Sequence, residues 1–158
     1  MTDDKGQEKL GSEWISATAT RNFAASEPLL DWLDLYGEAR GFRRDEDYDN
    51  YDERTDFSLF IMQKGIDFEA AVAKHLSTIL PLHTVLEEGE RGSDLEVSGK
   101  TLSAMHSGKP LIYQAVLRHD ESRTYGIADF LIRSDKLREL FPGSISEESA
   151  AVGAPALG

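Results

Sequence analysis

Asp129 stands inside Gly126-Ile-Ala-Asp-Phe-Leu-Ile-Arg133, an almost unbroken apolar run. An ionised carboxylate in such a strand costs several kcal/mol unless it is paired or coordinates a metal. Strand alternation groups Asp129 with Ile127, Leu131 and Arg133, and sets Ala128, Phe130 and Ile132 on the other side. Two readings stay open: a salt bridge to Arg133 or to a helix arginine, or a metal ligand. Glu69 is the second such carboxylate. In Lys64-Gly65-Ile66-Asp67-Phe68-Glu69 it follows an apolar anchor, four residues after a glycine. A helix glycine lets the helix lie close to a sheet, which carries the next turn's carboxylate towards a strand. Taken alone, a helix glutamate is ordinarily a solvated surface group, and Asp67 suits that role better.

The elements that must position these residues follow from periodicity. Phe57, Phe60, Ile61, Lys64, Phe68, Val72 and Leu76 recur at helical spacing, which predicts a helix from Phe57 to Leu80 ended by Pro81. Gly65 inside it marks a close backbone approach or a break. Leu111 to Leu117 and Tyr125 to Ile132 read as two strands, joined by a hairpin connection over Arg118 to Thr124. Ser26-Glu27-Pro28 starts a short helix that Gly37 or Gly41 stops, and Ser134-Asp135 starts a last one running to Leu140. Leu82 to Leu86 reads as a short strand, Glu87 to Ser98 as a loop, and Thr101 to His106 as one or two helical turns. The domain expected is 13–143, after a frayed segment 1–12 and before a flexible tail or truncated loop, 144–158. No internal repeat is present.

Composition narrows the function classes. The chain has 158 residues, 17 basic and 29 acidic, a net charge of −12 and no cysteine. That length suits one domain burying roughly 70% of its unfolded surface. Disulfide scaffolds and thiolate metal sites are excluded. No apolar run spans a bilayer, and Met1-Thr2-Asp3-Asp4-Lys5 is no secretory signal, so the expectation is a soluble, intracellular (cytoplasmic) protein with no membrane partner. The charge opposes broad adhesion to nucleic acid. Half of it sits in Asp45 to Asp56, with seven acids and one arginine, which reads as a solvated loop. This loop lacks the glycine and the final glutamate of a calcium-binding loop. The histidines, His75, His83, His106 and His119, show no zinc spacing. The serines lack the context of an activated nucleophile, and no glycine-rich phosphate loop appears.

Taken together, a helix with Gly65-x-x-Phe68-Glu69 and a hairpin whose second strand carries Gly126-Ile-Ala-Asp-Phe-Leu131 resemble the PD-(D/E)XK nuclease superfamily, particularly its RecB-like exonucleases. Thr101-Leu-Ser-Ala-Met105 before Gly108, the strand Pro110 to Leu117, and Arg133-Ser134-Asp135 add to the likeness, which runs from about Ile15 to Pro142. The resemblance implies an α/β restriction-endonuclease-like core, a small mixed sheet flanked by helices. It implies metal-dependent hydrolysis of DNA phosphodiesters, as in an exonuclease or repair nuclease, with Mg²⁺ or Mn²⁺ held by Glu69 and Asp129. Hard cations on carboxylates supply the positive charge and the activated water that this reaction needs. DNA, as a duplex or a single-stranded end, is the implied partner, with Arg118 and Arg133 as candidate phosphate contacts. Gln114, on the preceding strand, receives no catalytic role.

The family also places an acid-x-Lys pair on the next strand, and this sequence does not contain it there. After Asp129 the only lysine is Lys136, in Ser134-Asp135-Lys136 on the expected last helix. The resemblance therefore implies an incomplete core: the N-terminal part of a longer nuclease, or a degenerate paralogue inactive as it stands. The alternative is a catalytically silent nuclease-fold module that binds DNA or a protein partner, the latter through an unpaired sheet edge. The plainest reading is an acidic globular domain whose Asp129 pairs with an arginine.

Overall fold

The computed structural model describes residues 14–151. The expected frayed segment 1–12 lies outside the described residues, as do residues 152–158 of the expected tail. The chain is mixed α/β: β1 (Ile15–Ser16), α1 (Arg21–Ala24), α2 (Pro28–Trp32), α3 (Phe57–Ser77), β2 (Leu82–Thr84), α4 (Leu95–His106), β3 (Leu111–His119), β4 (Thr124–Ile132), α5 (Ser134–Leu140) and α6 (Glu147–Ala151). The strands form one small mixed sheet in the order β1-β4-β3-β2. Leu82 to Thr84 pair in parallel with Leu111 to Tyr113, and Ile15 and Ser16 pair in parallel with Thr124 and Tyr125. The described residues divide into two compact units, residues 14–68 with 119–125, and residues 69–118 with 126–151.

The second unit holds the core. Val85, Val97, Ala104, Ile112, Ala115 and Val116 are buried together, with Leu86, Met105, Ala128 and Leu131 against them. Helix α4 begins at Leu95, inside the stretch expected to be a loop. Its buried residues are Val97, Ser98, Thr101 and Ala104, a face of small and partly polar side chains that no apolar periodicity announces. Thr101 is fully buried, and its Oγ1 accepts the Val116 N–H at 2.9 Å. This satisfies a buried backbone donor from a side chain rather than from a neighbouring strand. Replacing Thr101 by the isosteric valine is expected to cost about 1–3 kcal/mol, the penalty of an unsatisfied buried donor. Urea denaturation measures it, and a cost near zero would show that the Val116 amide has another partner.

Beyond β4, α5 occupies Ser134–Leu140 as the sequence predicts, and Pro142-Gly143 ends it with Gly143 at φ 85°. The expected tail contains helix α6, where Glu147 pairs with Arg138 at 3.1 Å.

In the first unit Gly37 is the only buried residue among those described. Pro28 opens α2 at its first turn as expected, and the chain continues helically until Gly41 stops it in the left-handed region, at φ 84°. Trp32 packs on Tyr36 and, edge to face, on Phe42. The acidic stretch is mostly exposed, as its composition demands, but it is locally ordered. Asp45–Asp47 and Glu53–Thr55 each form a tight helical turn, and the Arg54 guanidinium clasps the Asp52 carboxylate at 2.9 and 2.7 Å. The last acid of the stretch caps α3, with Asp56 Oδ1 accepting the Ser58 and Leu59 N–H groups at 2.8 and 3.1 Å. The other Asp56 oxygen accepts the Tyr51 hydroxyl at 2.8 Å. The Leu59 amide and then Tyr51 hold Asp56 below the usual carboxylate range, while this hydrogen bond above all pushes the Tyr51 phenol up to about 12.

Candidate functional site

Helix α3 carries Glu69 and passes Gly65 without a break. A Cβ on Gly65 would meet nothing within 4 Å, so this glycine marks neither a close approach nor a hinge. Glu69 meets the sheet without its help. It is half-buried, and its Oε1 accepts a hydrogen bond from the Gln114 side-chain amide on β3. Tyr113, the neighbour of Gln114, lies at the same place, its ring 5.3 Å from that of Phe130 on β4. Successive strand residues normally face opposite ways. The left-handed backbone at Gln114 interrupts that alternation, so both residues serve one cluster.

The electrostatics of the cluster converge on the Tyr113 phenol. Burial raises its pKa most, then hydrogen bonding to Glu69 and the charge of that carboxylate; Gln114 acts the other way, and the Asp129 charge raises it further. Glu69 is thus the main charged influence on this hydroxyl, and Asp129 the weakest. Asp129 itself is exposed on β4, as is Ile127 two residues before it. The burial cost expected from the apolar run does not arise. Nor does the ion pair that was one of its two readings, since the Asp129 side chain makes no hydrogen bond or salt bridge among the described residues.

Arg133 is engaged elsewhere. Its guanidinium binds Asp135 through two hydrogen bonds, 2.7 and 2.6 Å, and donates to the Gly108 carbonyl at 3.0 Å. The Arg118 guanidinium donates to the Ser93 carbonyl. Both candidate phosphate contacts are thus held within the protein. Lys136 sits on α5 and binds Glu139 at 2.9 and 2.8 Å. Asp67 accepts from Gln63 at 2.9 Å and pairs loosely with Lys64, as a surface acid should.

Arg133 holds the Asp135 carboxyl down to about 2, first through the hydrogen bonds and then through its charge, with burial opposing. A depressed carboxylate contributes stability that is fully present above its unfolded value of about 4 and lost as pH falls through its folded value. The stability difference between the wild type and Asp135→Asn should therefore be constant from neutral pH to about 5 and vanish between about 4 and 2. Asp135 is 48% exposed, so salt should shrink the difference throughout. Urea titrations at several pH values check this, and a difference that grows towards acid would refute it.

Among the described residues, no group of three or more His, Cys, Asp or Glu side chains is placed to hold a metal ion. The donors on offer are the carboxylates of Glu69 and Asp129. Carboxylate oxygens are hard donors, of the kind that magnesium or manganese takes. They do not fit a closed zinc or calcium site. No helix among the described residues is long and apolar enough to cross a membrane. No protein-family model matches the chain, and neither the curated proteins nor the solved structures yield a match.

Proposed function

We propose that this chain carries the cation-binding half of a RecB-like nuclease site, in which Glu69 and Asp129 hold Mg²⁺ or Mn²⁺ against a DNA phosphodiester and turnover is absent for want of the acid-x-Lys pair. One observation supports the reading: Glu69 is half-buried against β3, where the Gln114 amide engages one of its oxygens, while the Asp129 side chain stands exposed on β4 with no partner among the described residues. The donor chemistry agrees. A cation of this kind, when bound, supplies positive charge to the non-bridging phosphate oxygens and polarises water. Within the protein, Glu69 is fixed at one oxygen by Gln114, and Asp129 presents its carboxylate to solvent.

The test is Mn²⁺ binding to the purified chain, followed by calorimetry or water-proton relaxation. Glu69→Ala and Asp129→Ala should each weaken binding by more than the ~10–100-fold typical of outer-shell changes. Asp67→Ala, on the same helix, should leave binding unaltered. Equal weakening by all three would mean diffuse attraction to an acidic protein and would remove the site.

A second reading, the silent module that binds DNA or a protein partner, draws on the sheet. β1 covers β4 only at Thr124 and Tyr125, so the edge from Gly126 to Ile132 has no strand partner on that side among the described residues. Such an edge accepts an added strand through main-chain hydrogen bonds. Under this reading the same chain, free of Mn²⁺ dependence, would pair with an extended peptide.

A further inference from the structure

In the first unit, α3 shows apolar residues to solvent on more than one side. Residues 57–68 include Phe57, Phe60, Ile61, Met62, Ile66 and Phe68, each between 52% and 73% exposed. A helix that is apolar around its circumference is normally covered. One of its faces has a defined setting. Leu59, Met62 and Ile66, spaced three and four residues apart, line one side of the helix. At its N-terminal end this face runs into a cleft of about 560 Å³, bounded by Leu59 and Met62 and by Glu46, Tyr51, Glu53 and Asp56 of the acidic stretch.

The cleft is walled by carboxylates whose charge is largely uncompensated. Asp56 caps the helix and accepts the Tyr51 hydroxyl. Glu46 has a loose pair with Arg44, at 3.8 Å, and the Glu53 side chain makes no hydrogen bond or salt bridge among the described residues. The charges of all three acids reach the Tyr51 phenol and help to push it up. The basic residues that flank the face in sequence are engaged, Arg54 by Asp52 and Lys64 by Asp67.

We propose that the face of Leu59, Met62 and Ile66, with the acidic cleft beside it, is a docking surface for a basic amphipathic helix of another protein. The apolar side of that helix would lie on Met62 and Ile66, and its lysines or arginines against Glu46 and Glu53. This surface is separate from Glu69 and Asp129 and does not depend on the cation reading. Charge complementarity selects the occupant. A second copy would bring the same acids and a net charge of −12 to the contact. Anionic membranes and nucleic acids are repelled in the same way. A cationic helix gains from both parts of the surface: its apolar anchors leave water on α3, and its charges are steered to the acidic wall. Methionine suits such a surface, because its unbranched side chain adapts to an irregular partner.

The test titrates the full chain into labelled synthetic peptides, followed by fluorescence anisotropy. The probe is a helix of about 18 residues with leucine along one side and lysine elsewhere, compared with a peptide of the same composition whose order scatters the leucines. The amphipathic peptide should bind at least about tenfold more tightly than the scattered one. Met62→Gln combined with Ile66→Gln, exposed positions where glutamine is a good helix former, should keep the wild-type melting temperature and weaken binding by about tenfold or more. Glu46→Gln combined with Glu53→Gln should weaken binding and flatten its salt dependence, whereas Glu88→Gln combined with Glu148→Gln, the same charge removed from the second unit, should leave binding unaltered. Equal affinity for the two peptides, or equal weakening by the two charge pairs, would mean diffuse attraction to an acidic chain and would overturn the proposal. A lowered melting temperature in the Met62→Gln, Ile66→Gln variant would show that the chain covers this face itself, and would overturn it too. So would sedimentation of the wild type as a dimer that the same variant dissociates, since the face would then belong to a second copy.

Discussion

Leu111→Ala is expected to lower the stability of the chain by about 2–5 kcal/mol, the range for emptying a buried leucine site. Leu111 is 0% exposed and begins β3. It pairs in register with Leu82 of β2. Truncation removes the transfer free energy of the lost carbons and leaves a cavity that the surroundings fill only in part. The buried core among the described residues is small, and a loss at the upper end of the range would consume much of the marginal stability typical of a single domain. Phe68→Ala provides the contrast. That side chain is 72% exposed, and its removal should cost under about 1 kcal/mol. Chemical denaturation of both variants decides the point. Equal losses would mean that β3 is not the foundation of the second unit.

The strands and the long helix are legible because their apolar residues recur with period. The hairpin of β3 and β4 lies within two residues of its expected bounds, and α3 starts at Phe57 as its spacing demands. Helix α4 is half hidden, since Ser98 and Thr101 face the core and count as polar in any reading of hydrophobicity. Two-residue β1 carries no pattern at all. The candidate site is legible in its acids and illegible in what arranges them. Glu69 and Asp129 stand out by their settings in the sequence, whereas glutamine in mid-strand gives no sign of a left-handed backbone, and Tyr113 reads as an ordinary strand aromatic. Two inferences about environment also fail for a common reason. An apolar run does not say which of its faces is covered, so Asp129 is exposed; a helix glycine does not say what approaches it, so Gly65 faces open space. Burial is a property of the partner element, and one segment read alone does not contain it.

Linear duplex or single-stranded DNA incubated with this chain and Mg²⁺ or Mn²⁺ should remain intact. In the proposed site two carboxylates would recruit a hard cation, but hydrolysis also needs the attacking water oriented and the developing charge stabilised. Under the proposed nuclease reading, an acid-x-Lys pair would do both. The lysine that follows Asp129 here, Lys136, is bound to Glu139 on the surface of α5. The arginines expected to meet phosphate offer no substitute, because Arg133 is occupied by Asp135 and the Gly108 carbonyl, and Arg118 donates to the Ser93 carbonyl. Loss of one preorganised electrostatic group typically lowers a rate by about 10²–10³, and groups that act as a unit fail together. A site lacking both the second acid and the lysine therefore falls below the threshold of a practical assay, even with the cation in place. The measurement is end-point cleavage of labelled DNA at high protein concentration, run beside Mn²⁺ binding on the same preparation. Binding without cleavage matches the expectation. Cleavage abolished by Asp129→Ala would show that some other residue of this chain supplies the missing charge, and Lys136→Ala would be the first variant to make.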